Sequence, residues 1–157
     1  MKKLYTLAFL LKDGMICLAV KKQKLGKGSW NGYGGEVEDN ESINSAVVRE
    51  IQEESGVQVR KADLDKVAII EFLHPDGKHL EVHTFFVHVW EGEPAESNEV
   101  GSAHWFLYNE IPYDHMWADD AYWLPRTLCG ERIRGKVWFQ EDGKLIEKME
   151  WKKVEMF

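Results

Sequence analysis

Apolar residues gather first over positions 4–11 and again over 15–20, two short runs parted by Lys12-Asp13-Gly14. Runs of that length on either side of an Asp-Gly turn signal predict a pair of strands. The pattern then breaks. Glycine at 26, 28, 32, 34 and 35 predicts a loop and a tight turn over 24–35. Ser42 stands as an N-cap, and 43–55 has helical spacing, with Val47, Val48 and Ile51 on the core side and Gly56 as the stop. Strands are predicted at 67–73 and 82–90, split by His74-Pro75-Asp76-Gly77, and a short one at 103–107. Residues 119–129 predict a second helix, which Pro125 must bend or shorten. Two last runs, 136–140 and 145–151, predict a hairpin closed near Asp142-Gly143. The order is that of an α+β fold, a mixed sheet with a few helices, in a single domain spanning 1–157.

Charge narrows the function classes. The formal net charge of the 157 residues is −7, so non-specific binding to nucleic acid is not expected. An acidic protein that handles phosphates needs a cation between the two negative charges. Cys17 and Cys129 have no metal-site spacing and read as reduced thiols of a cytoplasmic protein. Lys2-Lys3 before an apolar run imitates a leader peptide, but Lys12-Asp13-Gly14 follows at once without a small-residue cleavage site. No apolar run reaches membrane-spanning length. The six histidines form no H-x3-H or cysteine partnership, so none is assigned as a ligand.

The chemistry concentrates in the first predicted helix. Glu50, Glu53 and Glu54 stand at i, i+3 and i+4, which places three carboxylates on one helical face. They lie in its last turns, where the helix dipole disfavours negative charge. A hard divalent cation removes that cost, and magnesium favours carboxylate oxygens, water and substrate phosphates. Arg49 beside them has the planar fork that orients a carboxylate through two hydrogen bonds. Gly34-Gly35 allows close approach of a backbone carbonyl.

These residues fill the pattern G-x5-E-x7-R-E-U-x-E-E-x-G-U, with U aliphatic, at Gly35, Glu41, Arg49, Glu50, Ile51, Glu53, Glu54, Gly56 and Val57. The chain therefore resembles the Nudix hydrolases. The resemblance implies a mixed β-sheet sandwiched between helices (α/β/α), and Mg2+-dependent cleavage of a nucleoside diphosphate linked to another moiety, with Mn2+ as the alternative ion. It implies metal binding by Glu50, Glu53 and Glu54 with the Gly34 carbonyl, and catalytic roles for Glu54, Glu50, Glu53 and Arg49. Glu50, Glu54 and Glu99 all remain candidates for the general base.

Beyond that motif, residues 4–7, 28–35, 96–99 and 116–123 resemble the branch of the family that hydrolyses oxidised purine nucleoside triphosphates. This implies a small-molecule nucleotide substrate of the 8-oxo-dGTP or 2-hydroxy-dATP type, released as monophosphate and pyrophosphate by a monomer. By the same resemblance Asn31 would hydrogen-bond the base, Trp117 would stack on it, and Asp119 and Asp120 would read its edge. Thr6, Lys21 and Phe72 would complete the pocket, and Glu99 would sit near the metal. Leu25, Leu80 and Ala118 depart from the branch, standing where it has an aromatic residue, a methionine and a proline. Taken singly, Asp119 reads as a helix cap, Trp117 as core and Asn31 as a turn residue, while Tyr122, Trp123 and Leu124 read as core. Another nucleotide substrate for the same chemistry, and a non-catalytic nucleotide sensor, are the alternatives.

Overall fold

Successive residues of β1 (Lys2–Lys12) point into two different cores. Phe9 and Leu11 pack into one apolar cluster, Ala8 and Leu10 into the other. A strand alternates its side chains between faces, so the unbroken apolar run marks β1 as covered on both sides. The structure, a computed structural model, describes residues 1–24 and 26–157. After β1 come β2 (Met15–Val20), β3 (Trp30–Asn31), α1 (Ile43–Ser55), β4 (Leu64–Leu73), β5 (His79–Val87), β6 (His104–Leu107), α2 (Asp120–Leu128), β7 (Arg132–Phe139) and β8 (Ile146–Val154).

The strands form one mixed sheet in the order β3-β2-β1-β5-β4-β7-β8, with β6 paired to β2. β1 runs parallel to β5, and β4 parallel to β7; the other pairs are antiparallel. Val47 and Ile51 carry α1 onto the Ala8–Leu10 side, with Phe85 and Val87. Trp123 and Leu124 carry α2 onto the Phe9–Leu11 side, with Ile70, Phe72 and Phe86. The predicted sandwich is therefore present, one helix to each face. Ser42 caps α1 by accepting the Ser45 N–H, and Gly56 ends it in the left-handed conformation (φ 79°).

Several expectations need correction. The strand predicted at 82–90 begins and ends earlier, at His79–Val87. Leu73 pairs with His79 across a tight turn, while Gln58 and Glu91 pair apart from the strands. β4 starts three residues before the predicted 67, and β7 and β8 are each longer than their apolar cores. The residues added to β7 alternate Arg132 and Arg134 with the buried Ile133 and Gly135, so one face of the extension is covered while the other is charged. A two-residue strand, β3, lies in the predicted glycine loop. Val48 is only half-buried, and Tyr122, expected in the core, is 55% exposed. It lies on the outer face of α2, whereas Asp120 and Trp123 turn inward. α2 runs nine residues with Pro125 inside it. No described helix is long and apolar enough to cross a membrane.

β2 leaves β1 after only two paired positions, Leu11↔Ile16 and Lys12↔Met15. This frees the edge of β1 for residues 33–37. Ala8 and Tyr33 exchange backbone hydrogen bonds, Thr6 N–H donates to the Gly35 carbonyl (2.8 Å), and Val37 N–H to that of Leu4 (2.9 Å). A Cβ on Gly34 would overlap the Thr6 carbonyl oxygen, so the approach requires glycine. Gly34→Ala is expected to cost about 1–3 kcal/mol as an overpacked site, or roughly 2–12 °C in Tm at ~2–4 °C per kcal/mol. Gly101→Ala, whose Cβ would stand 3.5 Å from the Val20 carbonyl oxygen, serves as the control in the same thermal melts. Equal Tm values for the two variants would remove the packing constraint.

Candidate active site

The alternation of backbone bonds along 33–37 decides what the loop offers to α1. Tyr33 and Gly35 turn toward β1, so the Gly34 peptide between them turns away. Its N–H donates to Glu54 Oε1 at 2.9 Å. Glu54 is buried to 1% exposure, and Lys21 Nζ lies 3.3 Å from its other oxygen. Burial pushes the Glu54 carboxyl up to about 7, against the opposing effects of Lys21 and the Gly34 N–H. Glu50, one turn earlier, is also buried, and its pKa is raised by burial despite Arg49.

Glu99 joins them from outside the helix. Its backbone carbonyl accepts the Lys22 N–H (2.9 Å), and Ser97 Oγ accepts the Glu99 N–H, which fixes the 97–100 turn beside the end of β2. Oxygens of Glu50, Glu54 and Glu99 lie within 4.8 Å of one another. Three carboxylates so close, two of them buried, repel unless a cation lies among them, and an all-oxygen set suits a hard divalent ion. The residues thus fit the metal that the sequence implied. Glu53 stands differently: its side chain is 49% exposed and bound to Arg49 at 3.2 Å, on the rim of the site. No histidine joins the cluster among the described residues.

Arg49 holds the surrounding loop. Its Nε and Nη2 make two bonds to Glu41 (2.7 and 2.9 Å), Nη1 reaches Glu50 (3.0 Å) and Glu53, and Nη2 also donates to the Glu36 carbonyl (3.3 Å). These contacts keep the Glu41 carboxyl below its usual range. One cation therefore orients Glu50 and ties α1 to the preceding loop.

A cavity of about 750 Å³ extends from these acids. It is also lined by Thr6, Asn31, Phe72, Trp117, Asp119 and Asp120. All the residues expected to touch substrate or metal, Lys21, Gly34 and Glu99 included, share this one space. Phe72 and Trp117 meet edge-to-face, with centroids 5.9 Å apart. Asp119 occupies the N-cap position of α2 but makes no capping hydrogen bond. Its carboxylate accepts the Trp123 Nε1–H instead, at 2.8 Å. Both aspartates are buried. Burial holds Asp119 up to about 6 and Asp120 well above the ordinary range, the latter also raised by its neighbour. The bond from Trp123 favours the charged form of Asp119, so the shared proton belongs on Asp120.

Trp123 is thus both core and part of the site, which the sequence reading missed. Its only signal was the i, i+4 spacing from Asp119. Ile70, Val82 and Thr84 also line the cavity and carried no signal beyond strand alternation, and Leu7 lines it from the 4–7 stretch. Leu80 packs in the core at 3% exposure, and Ala118 is exposed. Leu25 lies outside the described residues.

The NUDIX domain family model matches residues 1–127. The chain is a member of the Nudix hydrolase family. It is 40% identical over 146 residues to the oxidized purine nucleoside triphosphate hydrolase of Danio rerio, covering 92% of each chain. It is 37% identical to the Mus musculus protein of the same name, over 92% of this chain and 91% of that one. Among solved Nudix-like structures, a mutator MutT protein from Bacillus halodurans superposes with a TM-score of 0.79 at 25% identity, covering 96% of this chain and 97% of that one.

Two expectations follow from the geometry. Arg49→Lys keeps the charge but loses the fork. Loss of charge-assisted bonds should lower kcat/KM roughly 10–150-fold and raise the metal concentration for half-maximal activity; a change under about threefold, well below that range, would make Arg49 a surface charge. The second concerns stability. Both buried aspartates titrate above their unfolded values, so the folded state retains protons that the unfolded chain releases. Their contribution is complete below the unfolded value, about pH 4, and is lost as pH rises, for Asp119 through about 6 and for Asp120 up to its own, more strongly raised folded value. Without nucleotide, Asp120→Asn should therefore gain Tm relative to the parent as pH rises from about 4.5 to 7.5. A difference that stays flat across that range would show that the pair titrates normally.

Proposed function

We propose that the protein hydrolyses oxidised purine nucleoside triphosphates, of the 8-oxo-dGTP and 2-hydroxy-dATP type, to the monophosphate and pyrophosphate with Mg2+. The observation that carries this reading is the single cavity lined by the buried acids of α1 and by Trp117, Asp119 and Asp120 before and at the start of α2. Relatives that bear the oxidised-purine name at about 40% identity support it.

Glu50, Glu54 and Glu99 would hold the ion, with the Gly34 carbonyl beside them and Glu53 at the rim. Held there, the ion would supply positive charge to the phosphate chain and lower the pKa of a nearby water. Glu50, Glu54 and Glu99 are the candidates to take the proton, and Glu54 is the most firmly positioned of them, held by the Gly34 N–H and Lys21. Arg49 orients Glu50 and keeps Glu41 and the loop in place. Trp117 gives a planar face for the base. Asp119 as acceptor and Asp120 as donor present one hydrogen-bonding pattern, and moving the shared proton presents the reverse. A guanine-type and an adenine-type oxidised base would then each find a match. The acidic cavity would also exclude non-specific nucleic acid, and the protein would act as a cytoplasmic monomer.

The test is kcat/KM for 8-oxo-dGTP, 2-hydroxy-dATP, dGTP and dATP, with product identification, for the parent, Glu54→Gln, Asp119→Asn and Asp120→Asn. Both oxidised nucleotides should exceed their normal counterparts, with monophosphate and pyrophosphate as products. Glu54→Gln should stay folded and lose ~10²–10⁴-fold on all four. Each aspartate variant should instead lose roughly 5–150-fold on one oxidised base more than on the other. Equal losses on every nucleotide would reduce the aspartates to a structural pair.

A further inference from the structure

Three buried side-chain polar atoms lack a hydrogen-bond partner among the described residues: Thr84 Oγ1, Asp120 Oδ2 and Trp151 Nε1. Two of the three, Thr84 and Asp120, line the cavity described above. We propose that Thr84 is a specificity-determining residue whose hydroxyl hydrogen-bonds the edge of the purine base, beside Asp120. The proposal rests on the reading of the cavity as a purine site.

Thr84 lies in the middle of β5, between Leu7 of β1 and Ala68 of β4. Strand alternation puts it on the same face as Val82, and both line the cavity. Around it that wall is apolar, formed by Leu7, Ile70 and Val82. Packing alone would be served by valine, which has the same shape without the oxygen. Thr84 is buried, its backbone is engaged in the sheet, and its hydroxyl has no protein partner among the described residues. A buried hydroxyl left this way is destabilising. A ligand that enters the cavity removes the penalty, and so binding gains where folding loses.

The chemistry of the missing partner follows from the surroundings. The phosphate-binding end is furnished by the acids of α1 and Lys21, whereas Thr84 shares its part of the cavity wall with apolar side chains. The group it meets is therefore a heteroatom on a planar, otherwise apolar ring. A hydroxyl donates and accepts, so Thr84 serves a carbonyl, a ring nitrogen or an amine without a change of protonation. The aspartate pair needs such a change to do the same. Thr84 would thus stay constant while the pair reverses, and its weight should fall on oxidised purines of both types.

The experiment compares Thr84→Val, which removes the oxygen and keeps the shape, with Thr84→Ser, which keeps the oxygen. Tm without nucleotide is measured first. Binding of 8-oxo-dGMP, 2-hydroxy-dAMP and inorganic pyrophosphate, each with Mg2+, is then measured by calorimetry, and kcat/KM for the triphosphates follows. Thr84→Val should keep or raise Tm, weaken both monophosphates roughly 5–150-fold and leave pyrophosphate unchanged. Thr84→Ser should bind both monophosphates within about threefold of the parent, since the hydrogen bond is kept. A fall in Tm for Thr84→Val, unchanged monophosphate binding, or equal weakening of pyrophosphate would each overturn the assignment. If the parent itself bound neither monophosphate, the purine reading would fall and Thr84 with it; if it bound them and Thr84→Val did too, only Thr84 would fall.

Discussion

Residues 33–37 lie against the edge of β1 at a separation that leaves no space for a side chain at position 34. Much else depends on that contact. Because Tyr33 and Gly35 spend their backbone groups on β1, the Gly34 peptide faces α1 and donates to Glu54. Gly35 has its own limit, since a Cβ there would come within 2.6 Å of Glu50 Oε1. The two glycines let a loop pass between a strand and a helix that both need the same space. The acids of α1 are thereby pressed against backbone instead of water, which is why Glu50 and Glu54 are buried at all.

Two acidic centres in one cavity solve the same electrostatic problem in different ways. Near α1, Glu50, Glu54 and Glu99 converge while Lys21 and Arg49 supply partial compensation, and the geometry is that of an oxygen-only ion site. At the start of α2 no basic side chain among the described residues pairs with Asp119 or Asp120; the donors are the Trp123 indole N–H and backbone N–H groups. There burial is met by a proton. Charge is kept at one end, for an ion and phosphates, and suppressed at the other, where a neutral ring would lie.

The sequence made the α1 half of this arrangement legible because it is local. Gly35, Glu41, Arg49, Glu50 and Glu54 fall within one loop and one helix, so spacing alone places their side chains. The cap at Ser42 and the stop at Gly56 were legible for the same reason. Glu99, Trp117 and Asp119 come to the site from distant segments, and only resemblance to related sequences pointed to them. Trp123 looked like core and is core; its bond to Asp119 depends on how α2 lies on the sheet. Thr84 was invisible, because its lack of a partner is a property of the packed interior. The starts of β5 and β7 were missed for a different reason: charged or polar residues alternate there with the single buried apolar residues Leu80 and Ile133, too few to make an apolar run.

The contacts of Arg49 close a ring. The chain leaves Glu36, runs out past Glu41, enters α1 and returns through the guanidinium to the Glu36 carbonyl and the Glu41 carboxylate. A closed ring fixes how many residues it contains. An insertion or deletion between 37 and 48 would rotate Arg49 away from one partner or the other, even with every motif residue retained. The β7–β8 turn carries no such closure to the cavity, and its length is free to vary. Among descendants of this fold, the first segment should therefore change by substitution alone, while the second should also drift in length.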